Sequence, residues 1–282
     1  MAVGLAAHAA PRKPPAFERE NPPALDLTSD TMTVTPGSRA AVATGNVLAK
    51  GATWDAQCRH ADATYNTPAG GRRTIETLAL HEEIHLHRAS DGLVAVSSEA
   101  VYEEATGKVV LTGDPVVTRR GDVLRGERIV VGVRDDALEV DHVTVNLVRR
   151  KGAADPVQVR AEHLTSLDAG KHLRFERNVQ LKEGKLNARA DRMDAYMERT
   201  GATDQSQLSQ VVMTGHVEAS RGDDEATSRT ATYLASSGDL VLQGDPQLTS
   251  EGSDLKGEQI IINGSTGRAH AVSAKAHLRE HP

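Results

Sequence analysis

Cysteine, aromatic residues and long apolar runs are all scarce in this chain, and each shortage removes a class of protein. Cys58 is the sole cysteine, so there is no intrachain disulfide framework and no cysteine-rich zinc site. One Trp, four Tyr and two Phe are the whole aromatic complement of 282 residues. No stretch approaches the roughly 18 consecutive apolar residues of a membrane-spanning helix. Basic charge does not dominate either: 33 Lys and Arg face 39 Asp and Glu, for a net charge of -6, and no basic block stands out. That balance argues against a nucleic-acid binder. What the chain does have is glycine, 24 of them, and Val, Thr and Leu scattered in short alternating runs. The length allows one large or two modest domains and a substantial core.

The first ten residues, MAVGLAAHAA, read like the tail of a secretory signal peptide. Ala7-His8-Ala9 fits an A-x-A cleavage site, while the charged start and most of the apolar segment of such a peptide are missing. A truncated signal is the favoured reading, an Ala-rich tail the other. The proline-rich stretch that follows is expected to be an extended linker, so residues 1–23 are placed outside the fold.

One short motif suggests an enzyme. His81-Glu82-Glu83-Ile84-His85 fits the H-E-x-x-H pattern of zinc metalloproteases. On a helix, two histidines four apart lie one turn from each other and converge on a metal. On a strand they are about 13 Å apart and cannot. Leu78, Leu80, Ile84 and Leu86 share one parity, and His81, Glu83, His85 and His87 share the other, with Glu82 as the single break. This is the period-2 signature of a half-buried strand. The extended third-histidine pattern is also missing, because residue 88 is Arg and residue 91 is Asp. The protease reading fails on these grounds, leaving a His/Glu strand face turned to solvent. No metal, cofactor or catalytic residue is expected.

An internal repeat organises the chain. AVYEEATGKVVLTGDPVVTRRGDVLRGERIVVG (100–132) aligns without a gap on ATYLASSGDLVLQGDPQLTSEGSDLKGEQIIIN (231–263), with fourteen identities that include Gly113-Asp114-Pro115 and Gly244-Asp245-Pro246. Weaker echoes lie upstream. Residues 45–65 resemble 177–196, and Thr44-Gly45-Asn46-Val47 recurs as Thr214-Gly215-His216-Val217. The chain is therefore expected to hold two copies of one unit, 24–148 and 157–278, joined by a polar linker at 149–156 that ends in Pro156. Turn signals every 8 to 12 residues, with few helical runs, predict an all-β sandwich, barrel or jelly roll.

These same elements, Val109 to Gly113 through Leu124-Arg125-Gly126-Glu127-Arg128-Ile129 and their copy at 240–260, resemble the OstA-like family, that of the LptA bridge of lipopolysaccharide transport. Gly45-Asn46-Val47 and Ala61-Asp62-Ala63-Thr64-Tyr65 are similar to that family's other elements, and the likeness covers most of 27–278. The resemblance implies an OstA-like β-jelly roll, two facing antiparallel sheets in a V that is open at both ends. It also implies a periplasmic, non-enzymatic carrier whose apolar interior shelters the acyl chains of lipopolysaccharide. Its partners would be the inner- and outer-membrane components of the transport machinery, and end strands would pair head to tail with neighbours.

The lining residues this suggests are Val109, Leu111, Val117, Leu124, Ile129 and Val131, matched by Leu240, Leu242, Leu248, Leu255, Ile260 and Ile262. The competing expectation is that these residues fill a closed core, as in a β-rich structural or glycan-binding scaffold. The membrane-bound relatives are set aside at this stage: the chain as given shows no N-terminal membrane helix, and it stops at Pro282 without a long barrel. With about six strands per sheet in each copy, two copies pairing within one chain would span about 55–60 Å, with edges near Leu27–Val34 and His270–Leu278. Cys58 is expected to be a small buried residue, Trp54 to pack at a sheet margin, and His270 and His277 to share the last strand.

Overall fold

The computed structural model describes residues 25–67, 74–119, 121–147, 157–199, 206–250 and 253–277. The signal-like and proline-rich stretch 1–23 and the joint 149–156 lie outside the described residues.

The described chain is β throughout, apart from one 3-10 turn at Asp168–Gly170. The first half contains β1 (Asp26–Thr28), β2 (Thr31–Thr35), β3 (Ala40–Lys50), β4 (Trp54–Asn66), β5 (Thr74–Arg88), β6 (Leu93–Glu103), β7 (Lys108–Thr112), β8 (Val116–Arg119), β9 (Asp122–Arg125), β10 (Arg128–Gly132) and β11 (Leu138–Leu147). The second contains β12 (Val157–Leu167), β13 (His172–Glu183), β14 (Leu186–Arg199), β15 (Ser206–Arg221), β16 (Asp224–Leu234), β17 (Asp239–Gln243), β18 (Gln247–Ser250), β19 (Ser253–Lys256), β20 (Gln259–Ile262), β21 (Ala269–Val272) and β22 (Lys275–His277).

Most of these strands bend in the middle. The long ones pass through a corner, and β1/β2, β7/β8, β9/β10, β17/β18, β19/β20 and β21/β22 are the two halves of strands broken at it. Sixteen bent strands result, each antiparallel to the next in sequence. One half of every strand joins one ladder, which runs from β2 to β21. The other half joins a second ladder, from β1 to β22, and the two ladders close on a shared hydrophobic core.

The corners are written in the backbone. Gly45 and Asn46 (φ 77° and 43°), Glu82 and Glu83 (64° and 53°), Gly113 and Asp114 (71° and 56°), Arg177 and Asn178 (64° and 50°), Gly215 and His216 (80° and 43°) and Gly244 and Asp245 (76° and 56°) are all left-handed. These pairs are β-bulges: His60 pairs with His81 and Gln57 with His85, so β5 spends one more residue than β4 between the same rungs. The corner residue is held by a neighbouring strand. Asn46 Nδ2 donates to Asp30 Oδ2 at 2.8 Å, His216 Nδ1 meets Asp191 Oδ2 at 2.8 Å, and Asn178 bonds Glu162. The H-E-x-x-H segment is thus a strand, as its parity predicts, and its break at Glu82 is the corner itself.

The two repeats form one continuous structure. The last strand of the first, β11, pairs with the first strand of the second, β12, from Leu138↔Ser166 to Leu147↔Val157. Each repeat supplies eight bent strands to each ladder rather than the six expected, because the corner lets every strand serve both. At about 4.8 Å per strand the assembly runs about 70 Å, longer than the sequence suggested. His270 and His277 lie on the last bent strand, on its two halves β21 and β22, and so in different ladders across the corner at Ser273.

The corner predicts a specific weakness. A Cβ at Gly215 would adopt a left-handed φ and run into the Asp191 carboxylate. Gly215→Val should lower stability by about 1–3 kcal/mol, read as a fall in the urea midpoint with an unchanged slope.

Candidate functional site

Alternation turns one face of each strand inward. Val109, Leu111, Ile129, Val131, Leu240, Leu242, Ile260 and Ile262 line the inner side of one ladder, and Val117, Leu124, Leu248 and Leu255 that of the other. The twelve residues make six cross-strand pairs: Val109↔Val131, Leu111↔Ile129, Val117↔Leu124, Leu240↔Ile262, Leu242↔Ile260 and Leu248↔Leu255. Such pairs are the unit of packing on a sheet face. All six residues of the first repeat are buried, and so are Leu240, Leu242, Leu248 and Ile260, while Leu255 and Ile262 are partly exposed. The interior is aliphatic over its whole length, with Trp54, Tyr65, Tyr102, Phe175 and Tyr233 as its buried aromatics. Trp54 lies against Tyr102 at 4.9 Å. Cys58 is buried, its thiol 3.2 Å from the His60 carbonyl, and burial pushes that thiol up.

The side opposite the corners, where the hairpin turns of the two ladders meet, is where the repeats differ. In the first repeat it is tied by charges. Arg88 ends β5 on the inward face, 1% exposed, and Arg119 ends β8 in the same way. Both grip the buried Asp91: Arg88 Nη2 lies 2.8 Å and Arg119 Nε 2.6 Å from its Oδ2. Arg88 Nη1 also donates across to the other ladder's turn, to the carbonyls of Gly132 and, at 3.0 Å, Asp135. Thr53 Oγ1 donates to the Val133 carbonyl at 2.6 Å beside it. Burial alone pushes the Asp91 carboxyl up, but the Arg88 hydrogen bonds and the Arg119 and Arg88 charges outweigh it and hold it below the usual carboxylate range. Burial and then Glu104 push the Tyr102 hydroxyl up to about 12.

The second repeat has an apolar cavity of about 160 Å³ at the corresponding place, lined by Leu186, Leu240, Leu248, Ile262 and Ala269, with Arg221, Asp224 and Ser250 at its edge. Sequence reasoning missed both the clasp and this cavity. A signal was available: Arg88 continues the parity of Leu78, Leu80, Ile84 and Leu86, and a charged residue on a buried face demands a partner.

Outside the core, His81 Nδ1 lies 2.5 Å from Glu99 and its Nε2 3.4 Å from Asp62, whereas His85 is exposed further along the strand. Among the described residues, no group of three or more His, Cys, Asp or Glu is placed to hold a metal ion. Asp194 is nearly covered by His172, Arg174 and Arg192 at 2.6, 3.0 and 2.7 Å, and His172 stacks on Tyr196. This is a structural ion cluster on the outer face.

The clasp makes stability depend on pH. Because the Asp91 carboxyl is held below its unfolded value of about 3.9, its contribution is fully present above that value and disappears as pH falls through the folded one. Asp91→Asn should cost about 3 kcal/mol near neutrality, since it leaves two buried guanidiniums with only the half-exposed Asp136 carboxylate, 3.9 Å from each. It should also flatten the dependence of the urea midpoint on pH below about 4.

The profile of the LptA/(LptD N-terminal domain) LPS transport protein family matches the chain twice, over residues 26–136 and 158–268. Among solved structures the chain is similar to LptH of Pseudomonas aeruginosa, described as the LptA homologous periplasmic component of the conserved lipopolysaccharide transport device. The identity is 17% and the TM-score 0.35, covering 46% of this chain and 85% of that one. Comparison with the curated proteins finds no match. The two profile matches lie one in each repeat, and together they take in most of the chain: it belongs to the LptA/LptD N-terminal domain family of lipopolysaccharide transport proteins.

Proposed function

We propose that this protein is a periplasmic carrier in lipopolysaccharide transport, whose interior shelters acyl chains while the polar part of the lipid stays in water. The observation that carries this reading is the single aliphatic interior shared by both repeats, in a chain that belongs to a lipopolysaccharide transport family. Acyl chains must be kept from water, at about 0.8 kcal/mol per methylene, and an aliphatic wall meets that need without strong stacking sites that would retain a cargo.

The continuous pairing of β11 with β12 makes the chain a ready-built section of a bridge between the two membranes. Among the described residues the edge strands, β1 and β2 at one end and β21 and β22 at the other, each pair on one side only, and on this reading they are where neighbouring components or further copies add strands. No step in this role requires a catalytic residue, a cofactor or nucleic acid. No helix of the described residues is long and apolar enough to cross a membrane.

The competing reading is a β-rich scaffold with a permanently closed core, favoured by the burial of Leu111 and Leu242. Photo-crosslinking in cells separates the two. A photoreactive residue at Leu111 or Leu242 should capture lipopolysaccharide, visible as a shifted band on a blot, and one at the outward Glu83 should not. Folded variants that capture nothing from either interior position would overturn the carrier reading in favour of the scaffold.

A further inference from the structure

On the side away from the corners the two repeats differ residue by residue, the first holding the clasp beside a cavity of about 410 Å³ lined by Leu25, Thr53, Trp54, Tyr102, Glu104 and Arg134. Trp54 pairs with Arg88 across β4 and β5, and Leu186 pairs with Arg221 across β14 and β15, so these positions correspond. The 131-residue offset then matches Arg119 with Ser250, Leu138 with Ala269, and Asp136, whose Oδ1 lies 3.9 Å from Nη2 of both clasp arginines, with Gly267. The turn that carries Asp91, residues 89–92, is reduced to Gly222 and Asp223. The second repeat therefore has no counterpart of Asp91 and keeps one of the two arginines, a hydrogen bond from Ser250 to the Asp224 carboxylate standing in place of the clasp, and it has a Leu for a Trp and an Ala for a Leu.

Those two truncations empty space in the way that large-to-small core changes do, and the 160 Å³ cavity lies where they fall. A cavity of roughly 150 Å³ lined by aliphatic groups stays dry and accepts an apolar guest. One arginine survives at its edge. Arg221 lines the cavity beside its cross-strand neighbour Asp224, whose carboxylate accepts from Ser250, and forms no ion pair among the described residues, so its guanidinium is left to meet an anionic group at the mouth. The first repeat's closed side is also covered by the second. A Cβ at Gly170 would lie 2.8 Å from Arg119 Nη1, so the turn after β12 packs directly on the clasp.

We propose that acyl chains reach the interior through the mouth of the second repeat, between Leu240, Leu248 and Ile262, with Arg221 meeting the anionic head. The Arg88–Asp91–Arg119 clasp keeps the first repeat shut over Val117, where β5 and β8 end. The proposal rests on the carrier reading above and adds where the lipid is admitted. Its occupant is the tail of an anionic amphiphile, and the simplest probe is palmitate.

The test places a photoreactive residue at Leu248 or at its counterpart Val117 in the full chain and offers alkyne-tagged palmitate. Capture at Leu248 should exceed that at Val117 by about tenfold, a modest difference in binding free energy. Two variants make the test reciprocal. Leu186→Trp with Ala269→Leu restores the first repeat's side chains, fills the cavity without creating a void, and should abolish capture at Leu248. Arg119→Ser with Asp136→Gly gives the first repeat the second's residues and should raise capture at Val117. Arg221→Gln should weaken capture of palmitate but not of the uncharged palmitoyl alcohol.

Equal capture at both positions, or capture at Leu248 that survives the filling variant, would overturn the proposal. So would a crosslink from Leu248 to a second copy of the chain in place of the probe. Capture of lipopolysaccharide at Leu111 or Leu242 in cells, with no palmitate at Leu248, would refute this way in and leave the carrier reading standing. Failure at all four positions would refute both.

Discussion

Everything in this structure depends on the corner. A strand of fifteen residues such as β5 would be a long flat ribbon if it stayed straight, and sixteen such ribbons would expose one whole apolar face. Two left-handed residues in the middle of β3, β5, β13 and β15, and between β7 and β8 and between β17 and β18, let each half fold over the other, and the strands beside them follow the bend. One strand then supplies both walls of its own core. The left-handed conformation costs little at Gly45 and Gly215, and Asn46, Asn178 and His216 recover part of the cost through side-chain bonds to an acid on the strand beside them. Because the corners lie in a row from strand to strand, the fold can be extended indefinitely by adding bent strands. A tandem repeat is then a longer version of the same object and not two objects joined by a hinge.

This geometry also explains which parts of the fold were legible in the sequence. Parity around Leu78 to Leu86 identifies β5 as a strand through the corner, because the inserted residues move the inward positions by four, from Leu80 to Ile84, and keep them even. On β4 the inward positions pass from Cys58 to Ala61, a step of three, and the parity flips. A strict period-2 reading loses the strand there. The repeated Gly-Asn-Val and Gly-His-Val elements were visible as echoes, but short strings of small residues do not announce that they are apices. The number of strands in each ladder could not be counted without knowing that one strand serves both.

The candidate interior was legible residue by residue, since alternation alone places all twelve side chains on inward faces. The clasp was not. It joins residues 88, 91, 119 and 132–136, which come together only when the turns of two ladders meet. The alignment of the repeats pointed at it indirectly. Arg119 against Ser250 and Asp136 against Gly267 are the kind of paired loss that marks a contact kept in one copy and abandoned in the other.

The energetics decide how much that loss matters to a carrier. In the proposed carrier the interior residues are packed against one another, so a tail entering from the side would do so where the ladders part away from the corners. Parting them uncovers aliphatic side chains worth about 1.5–3 kcal/mol each if left in water. The incoming chain covers them again and removes its own methylenes from water at about 0.8 kcal/mol apiece, so the exchange favours the lipid. A tail entering the first repeat meets a further obstacle. It must part Arg88 and Arg119 from Asp91 and from the Asp136 carboxylate 3.9 Å away, and then lie against the separated charges, at about 3–5 kcal/mol. That is the contribution of about four to six methylenes, a large share of what a lipid tail has to offer. On the proposed carrier reading, two repeats with the same fold and the same aliphatic lining would be unequal as ways in, and a few residues at the meeting of their turns would make the difference.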